Sequence, residues 1–344
     1  VTIRFALLGC GRIGKMHAGM LARNVSGTSV SVVYDVVDAA AQAVGADVGA
    51  RVAASLDEAV NADDVDAVVI CTSTSTHVEA MIAAARAGKP IFCEKPISLD
   101  LAEVDRALVA VATAGVKLQI GFNRRYDPSH RSVADAVQRG VVGDVHLCNI
   151  TSRDPGPPPI EYIGTSGGLF NDMTVHDFDM ARFVTGSEVA EVFAKGAVRV
   201  DPLIGEAGDV DTAVIVLTHE GGALTTIDNS RKAAYGYDQR VEAFGSLGMA
   251  SSDNTHEFNG ALATAAGYQR PKLQNFFLER YVRSYLDQWA AFVDMIDNDG
   301  PSPVTGADGR ASLLIAKAAL QSMIENRPVT LAEVDRANAA TTRS

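Results

Sequence analysis

Asp172, His176 and Asp179 stand four and three residues apart in one apolar stretch, Gly168-Leu-Phe-Asn-Asp-Met-Thr-Val-His-Asp-Phe-Asp179. On a helix such steps return to one face, so the three side chains project together and can meet one ligand. A histidine beside a carboxylate is suited to moving protons near neutral pH, the imidazole taking the proton and the carboxylate setting its tautomer. Leu169, Phe170, Met173, Val175, Phe178 and Met180 around them imply burial, and burying three ionisable groups without partners is costly. The residues alone admit two readings. One is a catalytic cluster; the other is a satisfied internal network in which Asp172 fixes a core histidine.

A second group surrounds glycines. Gly9-Cys-Gly-Arg-Ile-Gly14 follows an apolar run, Ile3–Leu8, and opens a helical stretch, the context a dinucleotide-binding G-x-G-x-x-G needs. Gly9 permits the tight turn, Gly11 lets the backbone approach a pyrophosphate, and Gly14 lets helix and strand pack closely. Arg12 and Ile13 count with the motif, Arg12 either bracketing the pyrophosphate or facing solvent. Asp35, at the end of the second apolar run, is placed to accept from the ribose hydroxyls. It would repel a 2′-phosphate, and Val36-Val37-Asp38 supplies no arginine to receive one, so the cofactor is NAD. In Glu94-Lys-Pro96 the lysine follows the run Ile91–Cys93, at the carboxyl end of the sheet, although a lysine before proline is commonly only a surface residue.

The elements that must position these residues change character along the chain. Up to residue 121, short apolar runs (Ile3–Leu8, 30–34, 67–71, Ile91–Cys93 and Leu118–Ile120) alternate with alanine-rich helices at 15–23, 76–87 and 101–113. That pattern predicts a doubly wound parallel sheet with right-handed crossovers. Beyond it come a helix near 129–139, a strand near 145–151, a proline-rich loop at 154–159 and the helix 168–184. Strands follow at 189–200, 212–218, 223–229 and 240–245, joined by glycine-containing turns that suggest antiparallel pairing, and two long helices lie at 275–296 and Gly306–Glu325. The tail after Arg336 reads as frayed.

The glycine motif, Glu94-Lys-Pro96, Gly121-Phe-Asn-Arg-Arg-Tyr126 and the 168–179 segment together resemble the Gfo/Idh/MocA oxidoreductases. Within that family the chain is most similar to members that oxidise inositol, also through 154–159, Asp228-Asn-Ser-Arg231 and Tyr235-Gly-Tyr-Asp-Gln-Arg240. The likeness runs from residue 1 to about 330. It implies a Rossmann domain at 1–121 and a substrate and oligomerisation domain at 122–304, built on a large, open, mostly antiparallel sheet. A C-terminal helix at 305–330 would pack back on the Rossmann domain. It implies an active site between the domains in which Lys95, Asp172 and His176 are catalytic, and a cis peptide before Pro96. The segment 72–77 resembles the family's nicotinamide-side loop, which adds Thr72 and His77 to the expected cofactor contacts, with Glu94 and Lys95 beside them. Here it reads Ser-Thr-Ser-Thr where many members have Pro-Asn. Arg124, Asn149, Asp179 and Tyr235 or Tyr237 are candidates to hold substrate hydroxyls, although Arg124 and Arg125 could instead pair with surface carboxylates.

Composition narrows the partners. A net charge of −12 with no basic run argues against nucleic acid and anionic lipid, and no apolar run approaches the ~20 residues needed to span a bilayer. The start of the chain lacks the features of a secretory signal, so the cytoplasm is expected. Cys10, Cys71, Cys93 and Cys148 are scattered, with no C-x-x-C pair, and read as buried inert thiols, with no metal. The expectation is an α/β enzyme, a homotetramer, oxidising myo-inositol or a related cyclic polyol with NAD. The alternatives are another substrate, such as scyllo-inositol or an aldose, and a non-enzymatic regulator that senses the dinucleotide.

Overall fold

Six short strands, β1 (Ile3–Leu8), β2 (Thr28–Tyr34), β3 (Arg51–Val52), β4 (Ala67–Ile70), β5 (Ile91–Cys93) and β6 (Leu118–Ile120), form a sheet in the order β3-β2-β1-β4-β5-β6. Every pairing in it is parallel. The computed structural model describes residues 2–341. β4, β5 and β6 are buried at every position, as strands covered on both faces must be. The strand order reverses beside β1, which opens a crevice at the carboxyl ends of β1 and β4.

The chain divides into two units, one running up to Phe122 and including Tyr285–Ala311, the other holding Asn123–Ser284 and the residues from Ser312 onward. The first boundary falls one residue beyond the expected 121, the stretch from Tyr285 to Val304 groups with the first unit, and the helix Gly306–Glu325 is divided between Ala311 and Ser312. The reason is packing: Trp289, Phe292 and Met295 of the helix Val282–Asp297 share one apolar core with Phe5, Leu7 and Phe92.

The second unit is built on β7 (Val145–Arg153), β8 (Val189–Ala197), β9 (Thr212–His219), β10 (Leu224–Ser230), β11 (Asp238–Gly245) and β12 (Gly248–Ser251). A separate hairpin, β13 (Leu262–Thr264) and β14 (Gly267–Gln269), precedes the last strand, β15 (Val329–Thr330). The large sheet runs β12-β11-β7-β10-β9-β8-β15, antiparallel except where β7 meets β10. Along β7, Cys148, Ile150 and Ser152 are buried under the helices Pro128–Gln138 and Val175–Thr185, which pack against this unit's sheet. The alternate positions look out of the other face, which exposes Leu147, Val214, Leu224 and Phe244.

Two local expectations change. The helix 168–184 begins as a π turn, Phe170–Thr174, and becomes α-helical at Val175–Thr185. The tail after Arg336 is helical rather than frayed. Leu331–Thr341 forms one helix of good helix-forming residues, docked through Val334 at 9% exposure, while 342–344 lie outside the described residues. Among the described residues no helix is long and apolar enough to cross a membrane.

Candidate functional site

In the first unit the glycine turn is sterically determined. Gly9 has φ +93°, and a Cβ there would lie 2.5 Å from the Cys71 carbonyl; one on Gly14 would lie 1.8 Å from the Gly9 oxygen. The turn is thus pressed against the end of β4. Gly11 is different: a Cβ there would meet nothing within 4 Å, so its outer side is open. The helix Arg12–Arg23 starts at that point with no side-chain cap and no acidic residue in its first turn. Its leading N–H groups and the positive end of its dipole remain for an anion, which fits a dinucleotide pyrophosphate. Asp35 accepts from the Cys10 N–H at 2.6 Å and the Val37 N–H at 2.8 Å, fixing its carboxylate at the mouth of this loop. Exposed Val36 and Val37 beside it offer apolar surface and no cation for a 2′-phosphate.

The Lys95–Pro96 peptide is cis. Glu94 sets the turn that carries the lysine: one carboxylate oxygen accepts from the Lys95 N–H at 3.2 Å and the other lies 2.9 Å from Nε2 of buried His17. The His77 ring is 2% exposed, with Nδ1 2.9 Å from the Pro96 carbonyl and Nε2 3.0 Å from the Thr72 carbonyl, and burial lowers its pKa. A neutral His77 ring has one N–H and so donates to one of these two carbonyls at a time, which places it between the Thr72 loop and the Pro96 turn. Thr72 accepts a hydrogen bond from the Thr76 hydroxyl at 2.8 Å. Burial pushes the Cys10 thiol, beside Asp35, and the Cys148 thiol up to about 12, in keeping with inert cysteines.

In the second unit Asp172 stands in the π turn and His176 follows in the first turn of the α-helix, both partly exposed. Single-turn π segments occur often at functional sites. Each Asp172 oxygen has its own donor: the Tyr162 hydroxyl at 3.0 Å and Nη1 of Arg231 at 3.2 Å. The neighbouring acids are committed elsewhere. Asp177, fully buried, accepts from Arg124 at 2.6 Å and Asn229 at 2.9 Å, and burial raises its pKa.

Asp179 is corrected from a hydroxyl-binding residue to a structural one. At 1% exposure it forms a two-pronged pair with Arg125, at 2.6 and 2.8 Å. Arg124 gives Nη1 to Asp177 and Ser152, so the arginine pair does meet carboxylates, buried ones instead of surface ones. Asn149 is corrected too. It belongs to the open face of the sheet, opposite the helices, where it accepts from Thr226 at 2.6 Å and donates to Glu242 at 3.2 Å. Tyr235 is half-exposed, its hydroxyl donating to Asp238 at 2.6 Å and accepting from Arg153 at 2.9 Å, while Tyr237 is buried.

Sequence reasoning left three residues without a role: Tyr162, Arg231 and Asp154, whose carboxyl burial pushes up to about 6 against the pull of Arg231. Arg231 had a signal, since it ends the Asp228-Asn-Ser-Arg segment. Tyr162 had none.

A switch-point crevice with an open glycine turn and a ribose-type acid is what a nicotinamide dinucleotide requires, and Asp172 and His176, four residues apart and both partly exposed, are groups capable of proton chemistry. Together they define the class: dinucleotide-dependent oxidoreductases. Comparison with known proteins gives the family. Residues 3–122 match the Gfo/Idh/MocA "Oxidoreductase family, NAD-binding Rossmann fold", and residues 130–251 match a Gfo/Idh/MocA C-terminal domain. The chain belongs to the Gfo/Idh/MocA oxidoreductase family. It is 46% identical over 333 residues to the Myo-inositol 2-dehydrogenase of Thermotoga maritima, covering 96% of this chain and 99% of that one. It is 45% identical over 332 residues to the Inositol 2-dehydrogenase of Rhizobium meliloti, covering 96% and 100%. The crystal structure of scyllo-inositol dehydrogenase from Lactobacillus casei with bound NAD(H) and scyllo-inositol superposes with a TM-score of 0.91 at 31% identity, covering 96% of this chain and 100% of that one.

Proposed function

We propose that this chain is an NAD-dependent dehydrogenase that oxidises one ring C–OH of myo-inositol, or of a closely related cyclic polyol, to the ketone, 2-keto-myo-inositol. The observation that carries the reading is end-to-end similarity, at 46% and 45% identity, to two proteins named as inositol 2-dehydrogenases. His176 is the general base that takes the hydroxyl proton. Lys95 donates to the same oxygen and polarises it as the carbonyl forms. Asp172 holds the histidine in the tautomer that accepts the proton. When bound, NAD takes the hydride from the ring carbon. The open glycine turn, the uncapped helix start and Asp35 are the residues that would hold it.

The same reading carries a cytoplasmic homotetramer working in inositol catabolism; exposed Leu147, Val214, Leu224 and Phe244 on the sheet face away from the helices support association of copies through that face. A second substrate, scyllo-inositol, is favoured by the likeness to the dehydrogenase holding that ligand. The test is absorbance in the NADH band with NAD and a panel of myo-inositol, scyllo-inositol and an aldose. Reduction with myo-inositol supports the proposal; turnover of scyllo-inositol or the aldose alone redirects it. A dinucleotide-sensing regulator would give no signal with any of them.

A further inference from the structure

Arg231 is a buried cation that faces the carboxylates of Asp172 and Asp209 and acts on the charge of Asp154. Its side chain is 1% exposed, Nη1 donates to Asp172, Nη2 lies 3.7 Å from Asp209, and Nε and Nη2 have no hydrogen-bond partner among the described residues. A buried guanidinium paired with carboxylates is weak evidence for stability, since apolar side chains of similar volume often pack at no greater cost. Its neighbours show what the arrangement does instead. Asp209 accepts from the Leu169 N–H at 3.1 Å, just before the π turn. Asn229, two residues before Arg231, accepts from the Thr174 hydroxyl at 2.6 Å, at the end of the π turn. The main chain of Arg231 is itself anchored by its N–H, which donates to the Asp211 carbonyl at 2.8 Å. The segment from Asn229 to Arg231 therefore braces the π turn at its end and at Asp172, and through Asp209 faces its start.

We propose that Arg231 is a positioning residue for the reaction, acting through Asp172: it orients the carboxylate, with Tyr162 on the other oxygen. This rests on the role given to Asp172 under the proposed function. The test is a double-mutant cycle of Arg231→Gln and Asp172→Asn, measuring kcat, KM for myo-inositol, NAD affinity and thermal midpoint. Arg231→Gln should lower kcat about 10–100-fold with NAD affinity within about twofold, and Arg231→Lys should keep more of the turnover than Gln. In the Asp172→Asn background the glutamine should cost less than about threefold, because the group it acts through is gone. The same factor in both backgrounds, or an unchanged kcat, would overturn the proposal. If Arg231→Gln does not fold, the lysine variant is carried through the same cycle with the same criterion. Wild-type turnover in Asp172→Asn alone would overturn the catalytic reading of Asp172 and this inference with it. A slow Asp172→Asn with an additive Arg231 effect would overturn only the inference.

Discussion

Nε1 of Trp289 donates to Nδ1 of His17 at 3.0 Å, across 272 residues of chain. An indole N–H can only donate, so the His17 proton sits on Nε2, from which it donates to Glu94 at 2.9 Å. One tautomer is thereby fixed behind the turn that carries Lys95. Trp289→Phe keeps an aromatic ring among Phe5, Phe92 and Phe292 but leaves the buried Nδ1 without its donor. The expected loss is about 1–3 kcal/mol, read from the denaturant midpoint. A variant as stable as wild type would show that the Trp289–His17 hydrogen bond makes no measurable net contribution to stability.

Asp35→Ala should weaken NAD binding and narrow its advantage over NADP. The change removes both the ribose acceptor and the repulsion toward a 2′-phosphate. Titration of each cofactor against the two proteins measures this. An unaltered preference would mean that the Asp35 carboxylate serves only the Cys10 and Val37 N–H groups.

Lys95→Ala and His176→Ala should each cut polyol turnover by about 10²–10⁴-fold, the usual contribution of a positioned acid–base group, with little change in NAD affinity. Steady-state rates at saturating NAD are the measurement. Near-normal turnover in His176→Ala would move the base to another residue.

Asn149→Ala should leave KM for the polyol unchanged, because Asn149 belongs to the face of the sheet away from the helix that carries His176. A several-fold rise in KM would contradict that assignment.

Asp154 gives a pH dependence. Burial pushes its carboxyl up from 3.8 to about 6, opposed by Arg231 and aided by Asp172. The folded state therefore binds this proton more tightly than the unfolded chain. The stability it contributes is complete below about pH 4 and is lost as the pH rises through about 6. Asp154→Asn cannot ionise, so its stability relative to wild type should increase from pH 4 to pH 7.5. Thermal midpoints across that range would show it, and a gap that does not vary with pH would locate the proton elsewhere.

Short-range sterics explain what could be read along the chain. Gly9 and Gly14 stand where a Cβ would strike backbone, so the motif and its turn follow from residue type alone. Apolar runs such as Ile3–Leu8 and Ile91–Cys93 mark buried strands because a strand covered on both faces tolerates little else. What could not be read depends on which surfaces meet. Alternation along β7 separates Asn149 from Cys148 and Ile150 but does not say which set lies under the helices. Arg124 and Arg125 are adjacent, and so nearly are Asp177 and Asp179; which guanidinium meets which carboxylate depends on how Asn123–Tyr126 is set against the helix Val175–Thr185. Trp289 joins a core built largely from the first hundred residues, and Arg231 reaches Asp172 across 59 residues. Contacts between segments so far apart carry no local signal, since only the packing of the assembled chain brings them within range.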